Sequence, residues 1–276
     1  MQNAERHTRV LHVQGDQYRQ AVDTLATETP IAFEFNGISH AVMLASPIDL
    51  EDLARGFALT EGIIDEAKQL YDVHIDASDC GFTIKLIIAS SCFARMKDKR
   101  RQMTGSTGCG ICGAESLTHV LRSLPSIPTP HQKLNPDHIP SILEELNHHQ
   151  PLQHRTGATH AAAWFDLAGK LKLVREDIGR HNALDKVIGA VMGQYPTGQP
   201  DGPIVVTSRA SLEMVQKSLI AQSPYLIALS APTSLAVEMA DRHGLCLIGF
   251  ARHDSFNVYT HPELLSGPCK PLRDQL

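Results

Sequence analysis

The apolar positions change period along the chain, and the changes mark out its elements. IAFEF and ISHAVML flank Asn36-Gly37, and Asn-Gly between two β-rich runs predicts a hairpin, because both turn residues must take positive φ. Ser46-Pro47 followed by Asp49 predicts a helix start, with a cap, a proline in the first turn and an acid three residues after the cap. Leu50, Leu53, Ala54, Phe57 and Ala58 give that helix an apolar face, and Gly62 is placed to end it. Strands are predicted near 71–76 and at 82–89. A basic helical segment over 92–103, the loop GSTGCGICG and a helix in AESLTHVLRSL follow. Residues 1–28 show no sustained period and read as a loose arm or edge strand.

Five prolines at 125, 128, 130, 136 and 140 mark a linker or crossover, since proline continues neither a helix nor a central ladder. SILEELNHHQ then resumes a helix. From 158 onward, apolar strands alternate with amphipathic helices in KLVREDIGRHNALDKVIGAV, PIVVTSRASLEMVQKSLIA, YLIALSAPTSLAVEMADRHG and LCLIGFARHD. Ala161–Phe165 and Leu171–Arg175 read as a strand pair. Strands spaced by helices imply βαβ crossovers. The fold class is therefore α/β, a mixed or parallel sheet with flanking helices beside a smaller α+β N-terminal lobe. The divisions are an arm at 1–28, an α+β lobe at 29–124 carrying a Cys loop at 104–113, a Pro-rich linker at 125–140, an α/β domain at 141–265 and a tail at 266–276.

Composition narrows the function. In 276 residues, 30 acidic against 25 basic side chains give a formal charge of -5, which argues against a nucleic-acid coat or a polybasic membrane anchor. Hydrophobic residues at 42% and charged ones at 20% allow a sizeable core. No apolar run approaches the roughly 18 residues of a spanning helix, and the N-terminus lacks the apolar stretch of a secretory signal. A soluble, cytoplasmic protein is expected. Its Cys residues (80, 92, 109, 112, 246 and 269) are then reduced thiols.

Two constellations could carry chemistry. The first is the loop Thr104–Gly113, where four glycines surround Cys109 and Cys112. Arg95, Lys97, Lys99, Arg100 and Arg101 lie just upstream, and positive charge favours the thiolate, which is the nucleophile. The bland alternative is a solvated basic helix beside an incidental Cys pair. Gly108-x-Gly110-x-x-Gly113 matches a dinucleotide fingerprint by letter, yet a basic helix rather than a strand precedes it. Zinc would need Cys80 or Cys92 to complete a half-site, so no metal is assigned. The deaminase pattern fails because His261-Pro262-Glu263 follows the Cys pair and no proline precedes Cys109. A thioredoxin-type reading fails because the pair does not open a helix after a strand.

The second constellation sits at strand ends: Asp177–His181, Ser208–Ser211, Ser230–Thr233 and Arg252–Asn257. In open α/β sheets such loops gather at one edge, where helix N-termini favour anions. Arg180, Arg209 and Arg252, with His181, Ser208 and Thr233, predict a site for a phosphate-bearing ligand, although any single Ser or Thr there can be a plain cap. No GxxxxGK[ST] is present, which excludes a P-loop. Trp164 reads as packing, and His160 could face the site.

The segments NGISHAVMLASP, FALTEGII, TGCGICG, THAAAW, REDIGRHNALDK, SRASLEMVQKS, SAPTSLAVEMA and NVYTHPE, in this order, closely resemble the formate dehydrogenase accessory sulfurtransferase family, FdhD. The resemblance runs from about residue 30 to 263. It implies a cytidine-deaminase-like C-terminal domain without zinc chemistry. It also implies a sulfur carrier that takes sulfur from a cysteine desulfurase and passes it to the molybdenum cofactor, bis(molybdopterin guanine dinucleotide), for formate dehydrogenase. By the same resemblance Cys109 is the persulfide carrier, Cys112 assists, and the cofactor-binding segment maps to Ala251, Arg252, His253, Asp254, Ser255 and Phe256. A guanine nucleotide is then expected to mimic the bound client, and a homodimer is expected. The competing reading is a non-catalytic cofactor chaperone, in which Cys109→Ala keeps function.

Overall fold

The structure, a computed structural model, describes residues 3–105, 124–195 and 201–267, so the loop bearing Cys109 and Cys112, the helix expected after it and most of the tail lie outside the described residues. Residues 5–26 are not a single loose arm. They form an antiparallel ribbon of β1 (Glu5–Gln14) and β2 (Gln17–Ala26), paired over ten positions. Its two-residue turn is Gly15-Asp16, with Gly15 at φ 57°, the place where a hairpin turn asks for glycine.

The N-terminal lobe is a four-stranded sheet of β3 (Thr29–Phe35), β4 (Ile38–Ala45), β5 (Leu70–Ser78) and β6 (Gly81–Ile88), in the order β4-β3-β6-β5. Asn36 and Gly37 take φ of 46° and 82°, as the hairpin requires. The Asn36 amide then donates to the Ile88 carbonyl (3.0 Å) and accepts from the Ile88 N–H (2.8 Å), tying the turn to β6. Ile31, Phe33 and Phe35 alternate inward beneath α1 (Leu50–Thr60), where Phe33 stacks on Phe57 at 4.4 Å. The apolar face expected for α1 is buried in full, but Ser46 does not cap it. The helix starts later, from Asp49 in a left-handed conformation, because Ser46 is committed to the other lobe. The basic segment is helix α2 (Ser90–Gly105).

The second lobe begins with α3 (Ile139–His148) and α4 (Pro151–Thr156). Strands β7 (His160–Phe165) and β8 (Leu171–Asp177) lead to α5 (Arg180–Gln194). Then β9 (Ile204–Val206), α6 (Leu212–Ile220), β10 (Tyr225–Ala228), α7 (Ser234–His243), β11 (Cys246–Gly249) and β12 (Asn257–Val258) complete a six-stranded sheet, ordered β12-β11-β10-β9-β7-β8. Strands β9, β10 and β11 run parallel, while β7 is antiparallel to both its neighbours. The three parallel strands are buried at every position, as expected of strands covered on both faces.

Ala161, Ala163 and Phe165 belong to the core on the α3 side. Ala162 and Trp164 face the opposite way, into a core continuous with β3, β6 and α1 of the first lobe. That shared core depends on a close crossing of α1 and α5. A Cβ at Gly56 would sit 1.8 Å from the Asp185 carbonyl oxygen, and one at Gly189 would sit 1.8 Å from that of Asp52. The segment after residue 124 lies along the α/β sheet. Leu134 donates its N–H to the Tyr225 phenol (3.1 Å), which donates to the Leu264 carbonyl (3.0 Å). Burial pushes that phenol up to about 12, so it stays a donor.

Candidate ligand edge of the six-stranded sheet

The parallel strands end on one edge, and the antiparallel β7 begins there. His160 pairs with Asp177 across β7 and β8, and Ala162 lies opposite Val206 at the end of β9. Residues 159–160, 177–181, 207–211, 229–233 and 250–256 therefore meet at this edge. The loops are stitched together by backbone bonds. Ala210 N–H donates to the Ala231 carbonyl (3.2 Å), Thr233 to Ala210 (3.0 Å), Phe250 to Ser230 (3.1 Å) and Ala251 to Ala228 (3.2 Å). Gly249 permits this approach, since a Cβ there would lie 2.8 Å from Pro232 Cδ.

Within REDIGRHNALDK most of the charge holds the lobes together. The fully buried Asp177 and Lys186 pair at 2.7 Å. Asp177 also accepts from the N–H of Ser46 (3.0 Å), the N–H of Gly179 (2.8 Å) and the Asn182 amide (3.0 Å). Lys186 donates to the Ser46 carbonyl (3.1 Å). Glu176 accepts from the N–H of Leu152 (2.9 Å) and Gln153 (2.6 Å), completing the exposed donors at the start of α4. Arg175 donates to Asp52 on α1 at 2.8 Å. Asp185 is clasped by Lys217 (2.9 Å to each oxygen) and by the Thr60 hydroxyl (2.8 Å), and burial pushes its carboxyl pKa up.

Arg180 and His181 take no part in that clasp. Arg180 is the first residue of α5, so its charge stands at the positive end of a helix dipole, the wrong end for a cation unless an anion joins it. No side chain caps that helix, Arg180 Nε is buried without a hydrogen-bond partner, and His181 Nε2, also without one, lies 3.7 Å from the Glu213 carboxylate. Buried donors of this kind are costly unless satisfied. Burial, then the Arg180 charge, lowers the pKa of His160. The same two causes, in the same order, lower that of His181, with Glu213 opposing. Beside His160, an open depression of about 400 Å³ is lined by Gln150, Gln153, Thr159 and Thr207.

The other two helix starts differ from each other. Ser211 opens α6, but its hydroxyl donates to Glu213 (2.8 Å), whose carboxylate stands in the first turn. That helix already carries its own anion. Glu213 was not among the residues singled out from sequence, although an acid two places after a helix start is a legible signal. Thr233 opens α7 with no side-chain cap and no acid in the first turn. Ser208 is buried and donates to the Arg209 carbonyl (3.0 Å), while Arg209 is exposed.

The segment Ala251–Phe256 lies in the loop between β11 and β12. Ala251 is buried in the core and Phe256 packs against it, so neither side chain is free. Arg252 N–H donates to the Ser255 carbonyl (2.8 Å), and its guanidinium donates to the Leu229 carbonyl (2.7 Å). His253, Asp254 and Ser255 are exposed. Among the described residues no helix is long and apolar enough to cross a membrane, and no three metal-ligating side chains converge.

The two imidazoles set a testable sign. The neutral form is favoured at about pH 7, and an anion beside Arg180 pulls both pKa values back up. Sulfate, whose own charge is constant in this range, should bind more tightly as the pH falls from about 7.5 to 5.5. Calorimetry in two buffers should show proton uptake on binding. Arg180→Ala should weaken binding about tenfold, the equivalent of roughly 1.4 kcal/mol. Weaker binding at low pH would refute this arrangement. Without ligand the sign reverses for stability. A folded-state pKa below the unfolded value of about 6.5 means that stability falls as the pH drops through that value.

Fold and edge together define an α/β protein with a polar depression at one sheet edge, held to a smaller α+β lobe through Ser46, Asp52 and Thr60. The chain belongs to the FdhD/NarQ family, which matches residues 26–266. A relative in Variovorax paradoxus, named sulfur carrier protein FdhD, is 51% identical over 94% of this chain and 93% of its own. A second of the same name, in Cupriavidus necator, is 49% identical over 88% of this chain and 84% of its own. A crystal structure from Desulfotalea psychrophila, described provisionally as a formate dehydrogenase accessory protein, shares the fold. Its TM-score is 0.75 at 23% identity, covering 96% of this chain and all of that one.

Proposed function

We propose that this protein is a sulfur carrier for the maturation of formate dehydrogenase, active in the cytoplasm as a homodimer. The Cys109 thiolate attacks the sulfane sulfur of a cysteine desulfurase persulfide and releases the desulfurase thiol. The client is the molybdenum cofactor, bis(molybdopterin guanine dinucleotide), whose phosphates lie at the sheet edge beside Arg180, His181 and the start of α7. Cys112 assists release. Its thiolate attacks Cys109 Sγ, hydrosulfide leaves for the cofactor, and an external dithiol reduces the resulting Cys109–Cys112 disulfide by thiol–disulfide exchange. Sulfane sulfur is thereby reduced to sulfide as two thiols are oxidised.

The observation that carries this reading is the near-full-length match to relatives named as sulfur carriers, a match whose span includes Cys109 and Cys112. The uncapped, cationic start of α5 favours the anionic half of the client. The test is the intact mass of the protein after incubation with a cysteine desulfurase and cysteine. One added sulfur, lost in Cys109→Ala together with formate dehydrogenase activity, is the expected result. Unchanged activity in Cys109→Ala would replace the carrier with a cofactor chaperone. Full sulfur delivery by Cys112→Ala would remove the second thiol from the scheme.

A further inference from the structure

The ribbon β1–β2 exposes large apolar side chains that its own fold does not bury. On one face, Val13 stands opposite Tyr18, Leu11 opposite Gln20 and Arg9 opposite Val22. Leu11 (62%), Val13 (51%), Tyr18 (68%) and Val22 (69%) are all exposed on that face. The other face carries His12 opposite Arg19, Val10 opposite Ala21, Thr8 opposite Asp23 and Arg6 opposite Leu25. An isolated two-stranded hairpin is marginal in water. The body holds this one at its base, where Glu5 pairs with Arg155 of α4 (2.5 Å), and the ladder closes there with Thr27 N–H donating to the Ala4 carbonyl (2.8 Å).

The outer edge of β2 has a defined pattern. The Thr27–Ala4 bond continues the ladder, so odd-numbered residues of β2 bond β1 and even-numbered ones point their N–H and C=O outward. Thr24 N–H fits this, because it faces away from β1 and is met by the Asp23 carboxylate (2.9 Å). Among the described residues, Gln17–Asp23 have no strand neighbour besides β1.

We propose that this edge is where two copies of the chain meet: β2 pairs antiparallel with β2 of a second copy, about a twofold axis through Ala21, giving a four-stranded sheet. The proposal deepens the homodimer reading above and rests on it. That register overlaps the strand from Gln17 to Leu25. It joins outward-pointing Gln20 to Val22 and Tyr18 to Thr24 of the other copy, so that Thr24 N–H exchanges the Asp23 carboxylate for the Tyr18 carbonyl of the second copy. It also sets Arg19 opposite Asp23 of the second copy, twice by symmetry, flanking Ala21 against Ala21. The exposed stripes of the two ribbons become one apolar face. The outer edge of β1 offers no equivalent. Setting Glu5 opposite Arg9 needs an axis at His7, which leaves only a short overlap at the end of the strand.

The test reads association and register separately. Sedimentation should show a wild-type dimer. Asp23→Arg, at an exposed position, should weaken it about tenfold or more by setting like charges opposite each other twice. Adding Arg19→Asp to Asp23→Arg should restore the dimer. In Ala21→Cys, the introduced thiols meet at a pair not bonded through the backbone, close enough to bridge, and oxidation should cross-link the dimer through residue 21. A dimer indifferent to the charge variants and not cross-linked through residue 21 would place the interface elsewhere and overturn the ribbon pairing, leaving the homodimer intact. A monomer at all concentrations would overturn both, and the sulfur-transfer reading would still stand on its own test.

Discussion

Gly189→Ala should cost about 2–3 kcal/mol of stability, and Gly189→Val should prevent folding. Along α5, an alanine in place of glycine would ordinarily add roughly 1 kcal/mol of helix stability. Here the methyl would enter the α1 backbone, 1.8 Å from the Asp52 oxygen and 2.7 Å from the Gly56 nitrogen. Backbone cannot rotate away as a side chain can, so the helices must separate and open the core that both lobes share. Gly193→Ala is the internal control. It lies on the same helix, where a Cβ meets only the flexible Arg55 guanidinium at 3.5 Å. Thermal unfolding should therefore move down in Gly189→Ala, and stay level or rise in Gly193→Ala. A neutral Gly189→Ala would show that α1 and α5 do not cross so closely.

Lys186→Met should cost about 3–5 kcal/mol, because it keeps the aliphatic volume but leaves the buried Asp177 carboxylate without its counter-charge. Asp177→Asn with Lys186→Met should recover part of the loss, since removing both charges costs less than stranding one. The clasp also sets function. Asp177 holds the N–H of Gly179 and the Asn182 amide, which aim the first turn of α5 and thus Arg180. Sulfate affinity should therefore fall in Lys186→Met at temperatures where the protein remains folded. Undiminished affinity and stability would make the clasp incidental.

The elements were legible where a local rule suffices. Asn36-Gly37 specified its turn by positive φ, the α1 face followed from 3.6-residue spacing, and the buried parallel strands read as continuous apolar runs. The ribbon was not legible as a period. Its apolar residues are interleaved with Arg, His and Gln on both faces, and its Gly15-Asp16 turn is the clearest signal it carries. Ser46-Pro47 looked like a cap because capping chemistry is local. Its actual partners, Asp177 and Ile178, lie more than a hundred residues away.

The site divides in the same way. By itself the sequence determined that polar loops follow apolar strands and open helices, and parallel strands then oblige those loops to share an edge. It determined the Cys pair and the basic run before it. Only the tertiary structure decided which charges in the run from Arg175 to Lys186 are spent within the fold and which are not. Asp177 pairs with Lys186, Asp185 with Lys217, and Glu176 accepts from the backbone of α4, whereas Arg180 Nε is buried without a hydrogen-bond partner and His181 Nε2 meets the Glu213 carboxylate at 3.7 Å. A charged side chain has the same identity in either role, and its free energy in the folded protein is fixed by the group brought within hydrogen-bond distance of it.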